Sequence, residues 1–281
     1  MIAIQDKAEY FLAEVKEAVI NEKLVLPSLP DVALKIKTEC EKQDSSAHKI
    51  AEMISQDPAL SVRLLQVANS SMYRTRNSTD NIQMAITKLG LNLVKDLIIS
   101  LSMKQLYNAS NDVIAERFKE LWLASVKTAA LAQLLAANQK HLHAEVAMLA
   151  GLIHNIGALP IILLAEDDDD LFDQPHSLLQ VVKQMQGEVS AYIFHKWNFP
   201  QYMIDIANSC YQFQRDHEGP ADYIDIIQAA LIEGSIYTGL ECPDDWSSIS
   251  AFSQLGIDTN SHVLDIEENK IVFEETTSLF K

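Results

Sequence analysis

The first candidates for metal-binding or catalytic residues in this chain are His154 and Asn155, which end an apolar stretch that begins at Ala147. A histidine beside a side-chain oxygen, held at the end of a buried helix, is a common way for metal-dependent phosphohydrolases to present their ligands. An active pair of that kind would have Asp at the second position, because a carboxylate can bridge cations. The Asn at position 155 therefore indicates a weakened metal site.

Three other groups of ligating or nucleophilic side chains favour structural roles. His141 and His143 have His-x-His spacing, but side chains two apart on a helix diverge, and their polar neighbours predict a surface loop. No basic residue lies close in sequence to Cys210, so an inert buried thiol is expected there. The consecutive carboxylates of Asp167–Asp170 could bind a divalent cation, but an acidic solvated loop is the simpler interpretation.

The composition predicts a folded, mostly helical protein with an acidic surface. The 281 residues are 48% apolar, include only eight Gly and eight Pro, and carry a formal net charge of -17. This length suits one large domain or two smaller ones that share a core. Polyanions bind through clustered Lys and Arg, and no such run is present. We therefore expect no nucleic-acid partner and no membrane partner.

Cysteine usage and the N-terminus favour a cytoplasmic location. The three cysteines are odd in number, far apart and in no CxxC arrangement, which is typical of reduced thiols. The N-terminus lacks the basic-then-apolar order of a signal peptide. The run from Ala147 to Ala165 approaches membrane length, but polar residues, Gly157 and Pro160 interrupt it. We interpret it as a buried helix-turn-helix.

Hydrophobic spacing predicts helices throughout and no strand. The predicted helices cover residues 3–20, 31–40, a segment around Ile50 to Ile54, a segment from Pro58 to about Asn69, 82–89, 91–107, 113–138, 144–155, 160–165, 177–186, 188–198, 200–213 and 221–238, with a short helix between Trp246 and Gly256. The predicted N-caps are Asp31, Ser45 or Ser46, Asp57 before Pro58, and Thr79 or Asp80, and Gly90 is the predicted C-cap of 82–89.

Two separated sets of short motifs resemble the HDOD domain, a helical signalling module of bacteria related to the HD superfamily of metal-dependent phosphohydrolases. The motifs are Leu29-Pro-Asp-Val-Ala33, Ile54-Ser-Gln-Asp-Pro-Ala-Leu60, Leu65-Gln-Val-Ala-Asn-Ser70, Ala85-Ile-Thr-Lys-Leu-Gly90, Leu121-Trp-Leu-Ala-Ser125, Ala150-Gly-Leu-Ile-His-Asn-Ile-Gly157 and Lys196-Trp-Asn-Phe-Pro200. Each motif alone is weak evidence, but their occurrence in this order over roughly residues 24–240 is specific to the family.

The resemblance implies an all-α fold, a multi-helix HD-like bundle, in three parts. We expect an N-terminal helix over residues 1–23, an HDOD domain over 24–240, and a C-terminal extension over 241–281. Within the domain, a helical N-terminal part would run to about residue 110 and an HD-like part would follow from about 111. The extension could pack on the domain or serve as a docking segment.

The resemblance also implies where metal ligands would lie, and this chain departs from nearly all of them. Metal-binding HD proteins use an early His, a His-Asp pair, further His residues and a late Asp. By position these fall on Ala124, His154, Asn155, Gln186, Cys210, Tyr211 and Leu231. One ligand survives, so we expect no metal and no cofactor. His154 and Asn155, with Trp122 and Ser125, would line any cleft left at the old site.

Two functional hypotheses from different classes follow. The first is a non-catalytic regulatory module that acts in signal transduction through a regulatory protein partner or a small ligand, with homodimerisation through exposed helix faces left open. The second is an HD-type phosphohydrolase with a rebuilt metal site and a phosphodiester or nucleotide substrate. Ala124, Asn155 and Leu231 discriminate between them, because His or Asp at two of these positions would favour the enzyme.

Overall fold

The computed structural model describes residues 4–73, 75, 78–167, 175–234, 245–259 and 261–281, and every regular element in these ranges is a helix. The predicted all-α class is confirmed. The α-helices are α1 (Ile4–Ile20), α2 (Asp31–Cys40), α3 (Ala47–Ser55), α4 (Pro58–Asn69), α5 (Ile82–Leu89), α6 (Leu91–Ser102), α7 (Asp112–Ala137), α8 (Ala144–Ile153), α9 (Ala158–Leu164), α10 (Pro175–Lys196), α11 (Gln201–Ser209), α12 (Tyr223–Glu233), α13 (Ser250–Leu255) and α14 (Glu267–Leu279). Short 3-10 helices lie at Met103–Tyr107, Ala165–Asp167, Trp246–Ser248 and Val263–Asp265.

Local capping chemistry sets several helix ends as predicted. The Ser46 hydroxyl accepts the N–H of Lys49 at 3.3 Å and starts α3. The Asp57 carboxylate accepts two N–H groups of the first turn of α4, and Pro58 occupies the first helical position, where a missing N–H costs nothing. Gly90 ends α5 with a φ of 84°, a left-handed conformation that favours glycine.

Two predicted N-caps are wrong. The prediction of Thr79 or Asp80 for α5 fails because the Asn81 side chain takes this role and accepts a first-turn N–H at 2.8 Å. Asp31 is the first residue of α2 instead of its cap, and Pro30 at the cap position offers no side-chain acceptor.

The predicted break at Gly187 is also wrong, because α10 runs without interruption from Pro175 to Lys196. Gly187 serves close packing: a Cβ there would lie 2.7 Å from the Ala207 carbonyl oxygen of α11. Several other helices are shorter than predicted. The predicted helix over 91–107 is α6 followed by a 3-10 turn, and α11 and α12 are each shorter than the predicted 200–213 and 221–238. Residues 168–170 of the aspartate run lie outside the described residues.

Helix α8 lies at the centre of the bundle. It packs most extensively against α7 and also contacts α6 and α12, and every residue from Ala147 to Ile153 is buried. One stretch of the described chain, Ala144–Leu164, is long and apolar enough to cross a membrane, but 89% of its apolar window is buried inside the domain. It is divided into α8 and α9 by a turn, as the helix-turn-helix prediction requires.

The two terminal helices both pack on the domain. Helix α1 packs on α10, and beyond its end the Glu22 carboxylate accepts hydrogen bonds from Tyr192 and Lys196, each at 2.9 Å. Helix α14 packs on α7, which answers the question that the sequence left open about the C-terminal extension. The exact division at residues 23 and 240 stays a prediction.

Candidate functional site

His154 follows the last turn of α8 and is 2% exposed. Its Nδ1–H donates to the Gly151 carbonyl oxygen at 2.7 Å, which fixes the tautomer and leaves Nε2 as the free acceptor nitrogen. Burial disfavours the imidazolium and lowers the pKa of His154 to about 4, although the hydrogen bond to the carbonyl opposes that shift. The imidazole is therefore neutral at physiological pH, which is the form that binds metals.

Asn155 is 4% exposed, and its amide oxygen accepts hydrogen bonds from two hydroxyl groups. The Ser125 hydroxyl lies 2.9 Å from Asn155 Oδ1 and also 2.9 Å from the Leu121 carbonyl oxygen, so its proton is shared between two acceptors. The Tyr107 hydroxyl donates to the same Oδ1 at 3.2 Å. The Asn155 oxygen is therefore engaged within the core.

Trp122 reaches this network through Tyr107. The two rings lie 5.0 Å apart between centroids, and the Trp122 indole N–H donates to the Phe280 carbonyl oxygen at 3.2 Å. The Phe280 ring packs edge-on against the indole at 6.1 Å. Trp122 is 5% exposed, so the predicted cleft residue is covered by the C-terminal segment.

The remaining positions implied by the family carry no charged or imidazole ligand. Cys210 is fully buried, and burial raises the pKa of its thiol far above the usual range, so it stays protonated. The Tyr211 ring lies 5.9 Å from the His154 ring. Gln186 and Leu231 are buried, and Ala124 is half-buried. The structure thus brings together His154 with Tyr211, and Asn155 with Ser125.

The metal implied by the HD superfamily does not fit this set of residues. A dinuclear site needs a bridging carboxylate and several imidazoles, whereas Asn155 offers a neutral oxygen that two hydroxyls already share. The His154 tautomer alone remains suited to a metal, because ligating histidines commonly donate their second N–H to a carbonyl. A single imidazole would bind a metal weakly here, because the other family positions carry Ala124, Leu231 and a protonated thiol, which are not suitable ligands.

A glycine holds the turn after Asn155 against α10. The Gly157 N–H donates to Ser190 Oγ at 2.8 Å. A Cβ at Gly157 would lie 2.4 Å from the Gln186 carbonyl oxygen and 2.5 Å from the Ser190 nitrogen, so no larger residue fits without backbone movement. Glycine at this position therefore lets the two segments approach closely behind the His154–Asn155 pair.

Sequence reasoning missed two buried polar residues near the site. Tyr107 is 6% exposed, and its position at the end of a predicted helix gave no sign that it would contact Asn155. Gln228 of α12 is fully buried, and its Nε2 donates to the carbonyl oxygens of Ser209 and Gln212 at 3.2 and 2.9 Å. A glutamine within an apolar helix run is the one signal that could have identified Gln228.

A second polar cluster lies before and within the first turn of α12. Arg215 donates to Asp225 at 3.0 Å and also pairs with Asp222, and His217 Nε2 lies 2.9 Å from Asp225. Asp222, Asp225 and His217 lie close enough to share a cation. The Arg215 guanidinium already supplies the positive charge there, so the cluster is an internal ion-pair network that anchors the loop after α11.

The motifs of the N-terminal half fix a loop. Asn69 Nδ2 donates to the carbonyl oxygens of Leu65 and Thr79 at 2.9 and 2.7 Å, and its Oδ1 accepts the Thr79 N–H at 2.7 Å. Lys88 Nζ donates to the Ala68 carbonyl oxygen at 2.7 Å. As expected for a residue at a helix end, the Asn69 side chain satisfies backbone groups.

Sequence comparisons match most of this helical region. The sequence profile of the HDOD domain matches residues 26–213. An uncharacterised protein of Treponema pallidum (strain Nichols) is 29% identical over 191 residues, which is 64% of this chain but only 36% of the Treponema protein. This chain therefore corresponds to a minor part of that relative.

Solved structures match the fold over nearly the whole chain. A Shewanella amazonensis SB2B protein assigned as a metal-dependent phosphohydrolase is 26% identical, with a TM-score of 0.87 and coverage of 98% of this chain and 99% of that one. An HDOD domain protein of unknown function from Geobacter sulfurreducens is 20% identical, with a TM-score of 0.64 and coverage of 96% and 97%. A protein of Marinobacter aquaeolei VT8 assigned to signal transduction is 19% identical, with a TM-score of 0.55 and coverage of 92% and 59%.

Proposed function

Because this chain belongs to the HDOD domain family, as its motifs predicted, we propose that it is a non-catalytic regulatory module of signal transduction. It acts by binding a regulatory protein partner or a small ligand, and it needs no metal or other cofactor. The assigned role of the Marinobacter relative is in keeping with signalling. The proposed location is the cytoplasm.

The observation that carries this proposal is the engagement of Asn155. Its amide oxygen lies 2.9 Å from the Ser125 hydroxyl and 3.2 Å from that of Tyr107, inside a core where the pair is almost inaccessible. A catalytic HD site needs a charged, ligand-accessible carboxylate at this position. A neutral amide that completes internal hydrogen bonds supports a structural role for the old metal position.

A metal-dependent phosphohydrolase is the second candidate, and one observation favours it. The Nδ1–H of His154 is bonded to a backbone carbonyl, so its Nε2 has the form that a metal ligand requires. The assignment of the Shewanella relative points in the same direction. This reading requires other ligands that the family positions do not supply.

Metal content tests the choice between the two. The chain is purified without chelator, soaked in Mn, Fe, Zn and Mg, desalted, and analysed by plasma mass spectrometry. We expect less than about 0.1 equivalent of each metal, since one imidazole binds hard cations weakly. His154→Ala is the test variant and His195→Ala, at an exposed position, is its matched control.

A stoichiometric metal that is lost in His154→Ala and retained in His195→Ala would overturn the proposal. Hydrolysis of bis(p-nitrophenyl) phosphate that follows the same pattern would do so as well, because it would assign catalysis to this site. Metal-free protein without such hydrolysis supports the regulatory module.

A further inference from the structure

The C-terminal helix α14 is joined by side-chain hydrogen bonds to the first turn of α8. Thr276 Oγ1 donates to Gln133 Oε1 at 2.7 Å, and Gln133 Nε2 donates to the Tyr73 hydroxyl at 3.4 Å. That hydroxyl in turn donates to the Glu145 carboxylate at 2.6 Å. Each step involves a different segment of the bundle, so movement of α14 removes a partner from a continuous chain.

A second connection reaches the other end of α8. The Phe280 carbonyl oxygen accepts the Trp122 indole N–H at 3.2 Å, the Trp122 and Tyr107 rings pack at 5.0 Å, and Tyr107 donates to Asn155 at 3.2 Å. The C-terminal segment is therefore linked, through two intermediate residues on each side, to the first turn of α8 and to the turn that follows it.

The surface beneath α14 is apolar. Val67, Leu97 and Met148 form much of its floor, and each is at most 2% exposed while α14 is in place. A cavity of about 10 Å³ remains between this floor and the Thr276 side of α14, room for about one water molecule. Without α14, this surface would be a groove of the kind that accepts the apolar face of an amphipathic helix.

Helix α14 is shallowly buried for a helix of 13 residues. Only Thr276 and Thr277 of the helix are buried, and Phe280, at 1% exposure, follows it. On the outside, Glu275 Oε2 accepts the Ser71 N–H at 2.9 Å and the Ser71 hydroxyl at 2.7 Å. Phe273 and Leu279 of the helix are partly buried against the core, so α14 lies on the domain surface as an amphipathic helix with one apolar edge facing inward.

We propose that α14 with Phe280 is a displaceable strap, and that the groove beneath it is the docking site for an amphipathic helix of a partner protein. The strap occupies this groove in the free chain and inhibits docking, and the partner helix replaces it. This inference rests on the proposed partner-binding function and specifies where the partner binds. Displacement uncovers Trp122 and removes Thr276 from Gln133, so docking alters contacts at both ends of α8.

Strap opening is tested in the full chain by hydrogen exchange. Glu275→Lys breaks the contact with Ser71, and Glu274→Lys makes the same charge change at the adjacent exposed position, where the side chain does not contact Ser71. We expect the amides of α14 to exchange at least about 100-fold faster than those of α7, because opening is local. Glu275→Lys should accelerate them about 10-fold more, while Glu274→Lys should match the wild type.

Docking is tested with a fluorescein-labelled peptide of residues 262–281 added to the same full-length proteins, and with a scrambled peptide as a specificity control. The peptide should bind Glu275→Lys about 10-fold more tightly than wild type or Glu274→Lys, because the competing strap is weakened. Equal exchange of α14 and α7 in every protein would refute the strap. Accelerated exchange without peptide binding would refute the docking groove.

These readouts are independent of the metal measurement. A stoichiometric metal at His154 would contradict the proposed non-catalytic function but would not contradict the strap. Metal-free protein in which the amides of α14 exchange as slowly as those of α7 would contradict the strap but not the proposed regulatory function.

Discussion

The hydroxyl of Ser125 on α7 lies 2.9 Å from the amide oxygen of Asn155, in the turn that follows α8. Ser125 directly follows Ala124, the position at which the family's early histidine falls. A helix that would supply a metal ligand in an HD enzyme thus supplies a hydrogen-bond donor here. The bond links α7 directly to the turn after α8.

Removing the Asn155 side chain should destabilise the fold more than removing the Ser125 hydroxyl. Asn155→Ala removes the buried amide oxygen that accepts from both the Tyr107 and the Ser125 hydroxyls, so we expect the free energy of unfolding to fall by about 2–3 kcal/mol. Ser125→Ala should cost about 1 kcal/mol, because Tyr107 still donates to Asn155. Urea denaturation with comparison of slopes measures both, and equal losses would show that Tyr107 does not depend on Asn155.

His154 should make the protein less stable in mild acid. Its folded-state pKa of about 4 lies below the ordinary value of 6.5, so folding favours the neutral imidazole. The stability from this preference is complete above the unfolded-state pKa and declines as pH falls towards 4. At pH 5 the loss should be about 2 kcal/mol relative to neutral pH.

The measurement is the difference in unfolding free energy between wild type and His154→Gln across pH 4 to 8. A glutamine does not titrate, so the acid-dependent part of the difference belongs to His154. A constant difference across that range would contradict the depressed pKa.

Gly157→Ala should destabilise the fold strongly, because the added methyl group meets backbone atoms of α10 at 2.4 and 2.5 Å. We expect a loss of about 3 kcal/mol from the forced backbone shift. Gly219→Ala is the matched control, since its Cβ meets nothing within 4 Å and only its φ of 110° is unfavourable. The control should cost about 1–2 kcal/mol in thermal or urea unfolding. Equal costs would mean that α10 moves aside easily.

Asp225→Asn should lower both the stability and the pKa of His217. The hydrogen bond from His217 to Asp225 raises the pKa of this imidazole, so its stabilising contribution is present below about pH 6.5. That contribution is lost as pH rises through the folded-state pKa. Loss of the buried carboxylate beside Arg215 should cost about 3 kcal/mol.

NMR titration of His217 and urea unfolding measure the two effects in Asp225→Asn. Asp216→Asn is the control, because this exposed carboxylate lies between Arg215 and His217 in sequence. The control should change the His217 pKa far less. A similar change in both variants would assign the raised pKa to the general acidity of the loop.

The parts of the fold that local chemistry determines were predictable. The Ser46 and Asp57 caps and the Gly90 terminus each depend on a few adjacent residues, and all three are present. Gly187 shows the limit of this reasoning. A glycine within a helical pattern predicts a break, but α10 is continuous because α11 packs against that glycine, and no local pattern reports a neighbouring helix.

The candidate site likewise has features that the local sequence predicts and features that depend on distant residues. The sequence located His154 and Asn155 at a buried helix end, because an apolar run followed by a polar pair is visible locally. It did not predict that Tyr107, 48 residues earlier, would donate to Asn155. Nor did it predict that Phe280 would cover Trp122, because a charged segment with scattered apolar residues does not indicate its own docking surface.

The 158-residue separation between Trp122 and Phe280 has a consequence for synthesis. At ribosomal rates of about 5–20 residues per second, roughly 8–30 s pass between the appearance of the indole and that of its carbonyl partner. The helices of the bundle can assemble during this interval, and the apolar floor under α14 is then uncovered in every newly made molecule. Nascent chains are therefore the population in which this surface is first open to other proteins.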